Sequence, residues 1–374
     1  MAKQSRTFWK YFLMGLMVFV AVDICARILL IVAASFGPCI FAENIHCRHD
    51  PILGWSHIPG ISIPNMYGPD KDLTINSQGF RAKHDFTRLV ESGKTRIICL
   101  GDSFTLGYGV GDDETFSSNL EASSPGLEVL NMGQGGYGLD QMYLWYRMEW
   151  SKYSHKILLV CFIDADISRM NADRFDIYAK PWMQVEAQRL HPMNIPAPDF
   201  NQGFWDKTAW WSGLGAVQVA ARVRESLIRR ETPKGIYQTQ TELLKTVLSI
   251  FGELDALAKS QDATMAIVRL PTAGNVEVEI PFYTILGKEI EVTGYPYFDL
   301  VQDFRQLDGY TINRMFIDEN TAPKELLRFK GMGAHYSPFG HSLVTKWIYG
   351  DLIKENLVQG KIPDERLTYI AQGS

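Results

Sequence analysis

The chain has 374 residues, nearly half of them hydrophobic, and a net charge of −5. That length supports a large core in one big domain or two smaller ones. The mild acidity lacks the basic footprint of nucleic-acid binding, which excludes that partner class. Five cysteines are too few for a disulfide scaffold.

Residues 12–35 form an apolar run preceded by Lys3, Arg6 and Lys10. At about 1.5 Å of rise per residue the run is long enough to cross a bilayer. The cations in front of it keep the N-terminus cytoplasmic and place everything beyond about residue 36 on the far side, periplasmic in a bacterial inner membrane. A cleaved signal peptide competes with this reading, because Val32-Ala33-Ala34-Ser35 offers small residues to a peptidase. The run exceeds the usual signal core of about 7–15 residues, which favours a retained anchor over residues 1–36. Asp23 and Arg27 interrupt it at a spacing that puts both on one helical face. Ionisable groups at that depth are costly, so they snorkel or face a membrane-embedded partner. Cys39 and Cys47 are close enough in sequence to close a disulfide loop in an oxidising compartment. Cys99 and Cys161 fall in apolar runs and read as core.

Residues 37–94 are rich in Pro, Gly, Asn and Asp and read as turns and short strands, a lead-in that packs on the main domain. Within it, His46-Cys47-Arg48-His49-Asp50 reads as a solvated loop, since no second ligand set follows at a metal-binding spacing; no metal or cofactor is expected. From residue 95 to about 358 strands and helices alternate. Strands are predicted at 97–100, 127–131, 156–163, 264–270 and 311–317, and helices at 139–150, 241–261 and 342–353. Such alternation predicts an α/β fold with a mostly parallel sheet and helices on both faces. Residues 359–374 are a tail. An insertion at about 175–240 carries Trp182, Trp205, Trp210 and Trp211, followed by a helical pattern over 215–230 that mixes Val and Leu with Arg222, Arg224, Arg229 and Arg230. It is a cap burying its tryptophans, a substrate lid, or a surface lying on a membrane or partner, and the sequence does not choose.

Chemistry concentrates at Ile97-Ile98-Cys99-Leu100-Gly101-Asp102-Ser103, a buried strand ending in a glycine and then a serine. Open α/β sheets bind ligands past the carboxyl ends of their strands, and a serine at a strand-to-helix turn lies near unpaired N–H groups able to hold an oxyanion. Gly133, Gly135 and Gly138 satisfy the dinucleotide-binding spacing after a strand. His335, in a turn before the last helix, argues against that reading, because acyl transfer needs both a nucleophile and a base.

Gly101-Asp102-Ser103-Phe104, then Asn131-x-Gly133-x-x-Gly136-Tyr137, then His335-Tyr336-Ser337-Pro338-x-Gly340-His341 resemble, in that order, the conserved blocks of the SGNH/GDSL hydrolase superfamily. Ile75-Asn76-Ser77-Gln78-Gly79-Phe80-Arg81 and the stretch from Tyr108 to Phe116 resemble one bacterial, often membrane-anchored branch. The resemblance implies a flavodoxin-like three-layer α/β/α fold and ester hydrolysis or O-acyl transfer, commonly on carbohydrates. It makes Ser103 the nucleophile and His335 the base, with the N–H groups of Ser103 and Gly136 as the oxyanion hole. Asp102 would fix the nucleophile turn, Asp166 would support the site, and His341 would be structural.

Two positions depart from the family pattern. Ala165-Asp166 stands where the third block carries Asn-Asp, removing a side-chain oxyanion donor, and Met332 and Gly333 replace the carboxylate expected just before the histidine. Asp318 or Glu319 are the candidates to substitute for it. Two functions follow. One is an anchored extracytoplasmic esterase or O-acyltransferase acting on an acylated glycan, with a multispanning acyltransferase that touches Asp23 and Arg27 as the candidate partner. The other is a catalytically impaired subunit that binds a glycan or scaffolds a membrane assembly.

Overall fold

A computed structural model describes residues 2–34, 41–199, 213–230, 235–275, 280–329 and 331–360. Helix α1 (Ala2–Ala34) contains a span, Phe8–Val32, long and apolar enough to cross a membrane. The lead-in then forms α2 (Glu43–His46), a hairpin of β1 (Cys47–Asp50) and β2 (Gly54–His57), and a second of β3 (Ser62–Ile63) and β4 (Leu73–Thr74). The solvated-loop reading of residues 46–50 fails here. His46 is fully buried and residues 47–50 pair as a strand, because Trp55 and His57 across the hairpin are themselves packed into the core. Cys39 lies outside the described residues, as does its pairing with Cys47, whose thiol is free.

The main sheet is built from β5 (Thr95–Gly101), β6 (Leu127–Gly133), β7 (Ile157–Phe162), β12 (Thr264–Arg269) and β13 (Tyr297–Asp299), in the order β6-β5-β7-β12-β13, all parallel. Strands buried on both faces explain the unbroken apolar runs. Ile98, Leu100, Leu158 and Val160 point into one layer, and Ile97, Cys99, Leu159 and Cys161 into the other. Between these strands run α3 (Ser103–Leu106), α4 (Phe116–Ala122), α5 (Leu139–Glu149) and α6 (Asp164–Met170), then the insertion with hairpins β8 (Arg174–Phe175)/β9 (Tyr178–Ala179) and β10 (Trp182–Glu186)/β11 (Arg189–Met193) and helix α7 (Gly215–Arg230). Helices α8 (Gln240–Lys259), α9 (Pro281–Thr293), α10 (Leu300–Phe304), α11 (Gly309–Met315), α12 (Lys324–Leu327) and α13 (Pro338–Lys354) follow. Helices α5, α8 and α9 cover one face of the sheet, and α4, α10 and α13 cover the other. This strand order is the doubly wound one of flavodoxin, in which the chain reverses direction across the sheet beside its first strand. The crevice opens there, at the carboxyl end of β5.

The expected fifth strand at 311–317 is instead mostly α11. Thr311 and Ile312 suit a strand, but the Asp308 side chain accepts from Thr311 N at 2.8 Å and starts a helix. The fifth strand is the three-residue edge β13, too short to show a periodicity. Helix α13 begins at Pro338, earlier than expected, capped by Ser337, which accepts from Gly340 N at 3.1 Å. Trp205, Trp210 and Trp211 lie outside the described residues; Trp182 sits half-buried in β10.

Asp23 and Arg27 pair at 2.8 Å. Arg27 also donates to the Gly213 carbonyl at 2.7 Å, and Gly215 N donates to Asp23. A Cβ at Gly215 would lie 2.7 Å from the Asp23 carbonyl oxygen, so the start of α7 rests directly on α1. The ionisable pair therefore has partners within the chain. Arg81, buried in the lead-in, donates to the carbonyls of Leu106 and Val110 at 2.7 Å each and pairs with Asp112 at 3.1 Å. It thereby ties the lead-in to the loop after α3.

Candidate active site

Gly101 and Gly133 end their strands because α3 passes directly over them. An added Cβ would sit 2.0 Å from Thr105 Oγ1 at Gly101 and 2.1 Å from Leu106 N at Gly133. Fully buried Asp102 caps α3, its Oδ1 accepting from Phe104 N at 2.8 Å. That cap orients Ser103, the first residue of the helix, toward the crevice.

His335 arrives from the other end of the chain. Its carbonyl accepts from Ile317 N at 2.9 Å, and Tyr336 bridges to Phe316 and donates its hydroxyl to the Pro271 carbonyl at 2.5 Å. So anchored, His335 Nε2 lies 2.8 Å from Ser103 Oγ. Among the described residues no carboxylate bonds the ring from behind. Nδ1 instead meets the Gly331 carbonyl oxygen at 2.9 Å, which fixes Nδ1–H as donor and leaves the Nε2 lone pair for the serine hydroxyl. The rings of Phe104 and Tyr108 stack on the two sides of the imidazole at 4.8 and 4.6 Å. Asp318 spends its carboxylate on Asn320 and Thr321, and Glu319 packs against Gly333 without bonding the imidazole.

Burial holds the His335 pKa down to about 4, against the opposing pull of Asp102 and the Gly331 carbonyl. At neutral pH the ring is thus a free base. Protonation that destroys the base sets in only as pH falls through about 4, whereas an ordinary imidazole loses most of its base form by pH 5. The acid limb of kcat/KM is therefore expected near pH 4, as read from ester hydrolysis between pH 3 and 9.

Ser103, His335, Gly136, Ala165, Arg169 and Glu43 line one cavity of about 410 Å³. Gly136 adopts φ +77°, and any side chain there would strike the Phe175 ring at 2.5 Å. Ser103, which opens a helix, and Gly136 both line this rim. Ala165 lines the cavity and offers only a methyl group there. One helical turn on, Arg169 donates Nη1 to Asp102 at 3.0 Å, to the Tyr137 carbonyl at 3.1 Å and to Asp166. Asp166 also accepts from Ile163 N at 2.9 Å, and burial plus the neighbouring Asp102 push its pKa well up. His341, 1% exposed, accepts from Phe116 N at 3.1 Å under α13; burial holds its pKa down to about 3. Ser103, Gly136 and His335 thus converge, Asp102 and Asp166 sit behind them, and His341 is a packing residue outside the cavity.

Sequence reading missed Arg169, Glu43 and the Gly331 carbonyl. Helical spacing from Ala165 pointed to the first; nothing in the sequence announced the other two. Burial pushes the Glu43 carboxyl up to about 7, Arg169 drawing it down and Asp176 and Asp102 up. Its oxygen lies against Gly135, so ionisation above pH 7 sets a negative charge beside the oxyanion loop. Activity is expected to decline modestly as pH rises through about 7, and Glu43→Gln to abolish that inflection while keeping the limb near 4.

A serine–histidine contact thus stands at the carboxyl end of β5. The fold is a flavodoxin-like, doubly wound α/β sheet with that pair at its crevice. Solved structures similar to this chain include a member of the lipolytic protein G-D-S-L family from Veillonella parvula (11% identity, covering 70% of this chain and 97% of that one, TM-score 0.37). Others are a lipase/acylhydrolase from Enterococcus faecalis (11%, 70% and 96%, 0.36) and an acetyl xylan esterase (12%, 68% and 98%, 0.38). No family model and no curated protein matches the chain.

Proposed function

We propose that this SGNH-fold protein is a serine-dependent carboxylic ester hydrolase or O-acyltransferase, held at the bacterial inner membrane by α1 with its main domain extracytoplasmic. The observation that carries the proposal is the 2.8 Å approach of Ser103 Oγ to a neutral His335 Nε2 inside a cavity that Gly136 also lines. Oγ attacks the acyl carbonyl as Nε2 takes its proton. The oxyanion is held by Ser103 and Gly136 N–H, and the imidazolium returns the proton to the leaving alkoxide. Water, or a second hydroxyl in the transferase case, then releases the acyl group from Ser103.

Phe41 and Phe175, edge to face at 6.0 Å on the cavity wall, offer aromatic surface to a sugar ring and support an acylated glycan as substrate. The cations before α1 support the orientation. A multispanning acyl donor would fit an enzyme so anchored, docking on faces of α1 other than the one that receives α7.

A non-catalytic glycan-binding or scaffolding subunit is the second reading, favoured by Ala165 and by the missing acid. Purified full-length protein in detergent, assayed on acetyl and longer-chain nitrophenyl esters, separates the two. Turnover by the wild type that is lost in Ser103→Ala supports the enzyme. Folded wild type without turnover on esters or on acylated glycan supports the subunit.

A further inference from the structure

Beside Gln134, which leads into the Gly135-Gly136 turn, the lead-in brings His46, Cys47 and His57 together. One ring nitrogen of each histidine and Sγ of Cys47 lie within 4.8 Å of one another. His46 and His57 are 0% and 3% exposed, and Nε2 of each has no hydrogen-bond partner. An orphaned buried nitrogen costs about 1–3 kcal/mol of desolvation, and two in contact, with ring centroids 5.3 Å apart, call for something between or beside them. His57 Nδ1 is 3.0 Å from the Gly79 carbonyl oxygen, the arrangement that pins a metal-binding histidine with its Nε2 lone pair free. Gln134, fully buried, approaches Cys47 Sγ through its amide nitrogen at 3.2 Å, and its own Oε1 is also without a partner.

We propose that His46, Cys47 and His57 bind a structural divalent transition ion of the zinc type. Binding forms one metal–sulfur and two metal–nitrogen bonds and releases the Cys47 proton to solvent. With metal–nitrogen distances of about 2.0–2.1 Å and metal–sulfur of about 2.3 Å, tetrahedral geometry spaces the donors about 3.3–3.6 Å apart. The cluster must contract by about 1 Å to reach that. A half turn of the Gln134 amide, which exchanges its oxygen and nitrogen, would bring Oε1 beside the ion as a fourth donor.

The consequence reaches the catalytic rim through the backbone. His46 shares the single turn of α2 with Glu43, which lines the cavity, and Gln134 precedes Gly135 and Gly136. The ion would lock the lead-in and the oxyanion loop into one unit.

Full-length protein, purified in detergent from zinc-supplemented cells, is expected to carry one zinc per chain by elemental analysis. After removal by chelator, Co2+ is expected to restore one equivalent with a thiolate-to-cobalt charge-transfer band and the visible bands of a tetrahedral site. Cys47→Ala and His57→Gln should lose both signals, Gln134→Ala should bind about 10–100-fold more weakly, and His49→Ala should keep both. Should the variants fail to fold, protection of the wild-type Cys47 thiol from alkylation, relieved by chelator, reports the same bond. Folded wild type that carries no stoichiometric zinc and gives no thiolate–cobalt band overturns the site, as does undiminished metal in Cys47→Ala and His57→Gln. The three side chains are then a buried hydrogen-bonded cluster. None of these readouts depends on esterase activity, so a failure here leaves the proposed reaction standing.

Discussion

Replacing His335 by glutamine is expected to lower ester turnover by about 10³-fold, the usual weight of a positioned base, while KM and the fold hold. Among the described residues the one other acceptor near Ser103 Oγ is Asp102 Oδ2, at 3.4 Å against 2.8 Å for His335 Nε2, and that carboxylate is engaged by Arg169. Arg169 is cationic, and Glu43 lines the cavity without a hydrogen bond to Ser103 among the described residues. The glutamine fits between Phe104 and Tyr108 but offers no basic lone pair. Retention of activity within about tenfold would show that the base lies elsewhere. The ring is oriented by a backbone carbonyl and two aromatic faces rather than by an acid. A carbonyl fixes the tautomer but adds no full negative charge to stabilise the imidazolium, so modest absolute rates go with a low base pKa.

A second large effect concerns Arg169. Asp102 and Asp166 are both fully buried, and the Arg169 guanidinium is bonded to both. Arg169→Met keeps much of the side-chain volume and strips the counter-charge from the two carboxyls. Removing one partner of a buried ion pair costs about 3–5 kcal/mol, here leaving the two carboxyls without their cation and loosening the cap that aims Ser103. Thermal unfolding of the detergent-solubilised chain is expected to fall accordingly, with turnover falling further. Adding Asp166→Asn should recover part of the stability, because one negative charge is removed with its hydrogen-bonding shape kept. Independent, additive losses in the double variant would contradict the shared network.

The fold was legible where burial is two-sided. The apolar runs at 97–100, 156–163 and 264–270 read as interior strands, and the Gly-Asp-Ser turn announced where β5 ends. The α8 pattern was equally clear, since Val247, Ile250, Phe251 and Leu254 share one buried face. What escaped was set by contacts distant in sequence or by single caps. Asp308 turned a β-branched run into α11, and β13 is too short for periodicity to register. In the site, Ser103, Gly136 and His335 were readable because each sits in a motif tied to a turn. The Gly331 carbonyl was not, since a backbone oxygen leaves no mark in the sequence, and Glu43 joins the cavity only because the lead-in folds back over it. His57 joined His46 and Cys47 across a hairpin, a register that spacing alone did not reveal.

The central claim is that Ser103 is a nucleophile activated by His335. Its most direct test is the mass of the intact chain after exposure to a fluorophosphonate across pH 3–8. The account predicts one adduct per chain, mapped to Ser103, forming at a rate that rises modestly as pH drops from 8 through about 7, holds to about pH 5, falls near 4, and vanishes in Ser103→Ala. A folded wild type that stays unmodified at every pH, or an adduct on another residue, would contradict it.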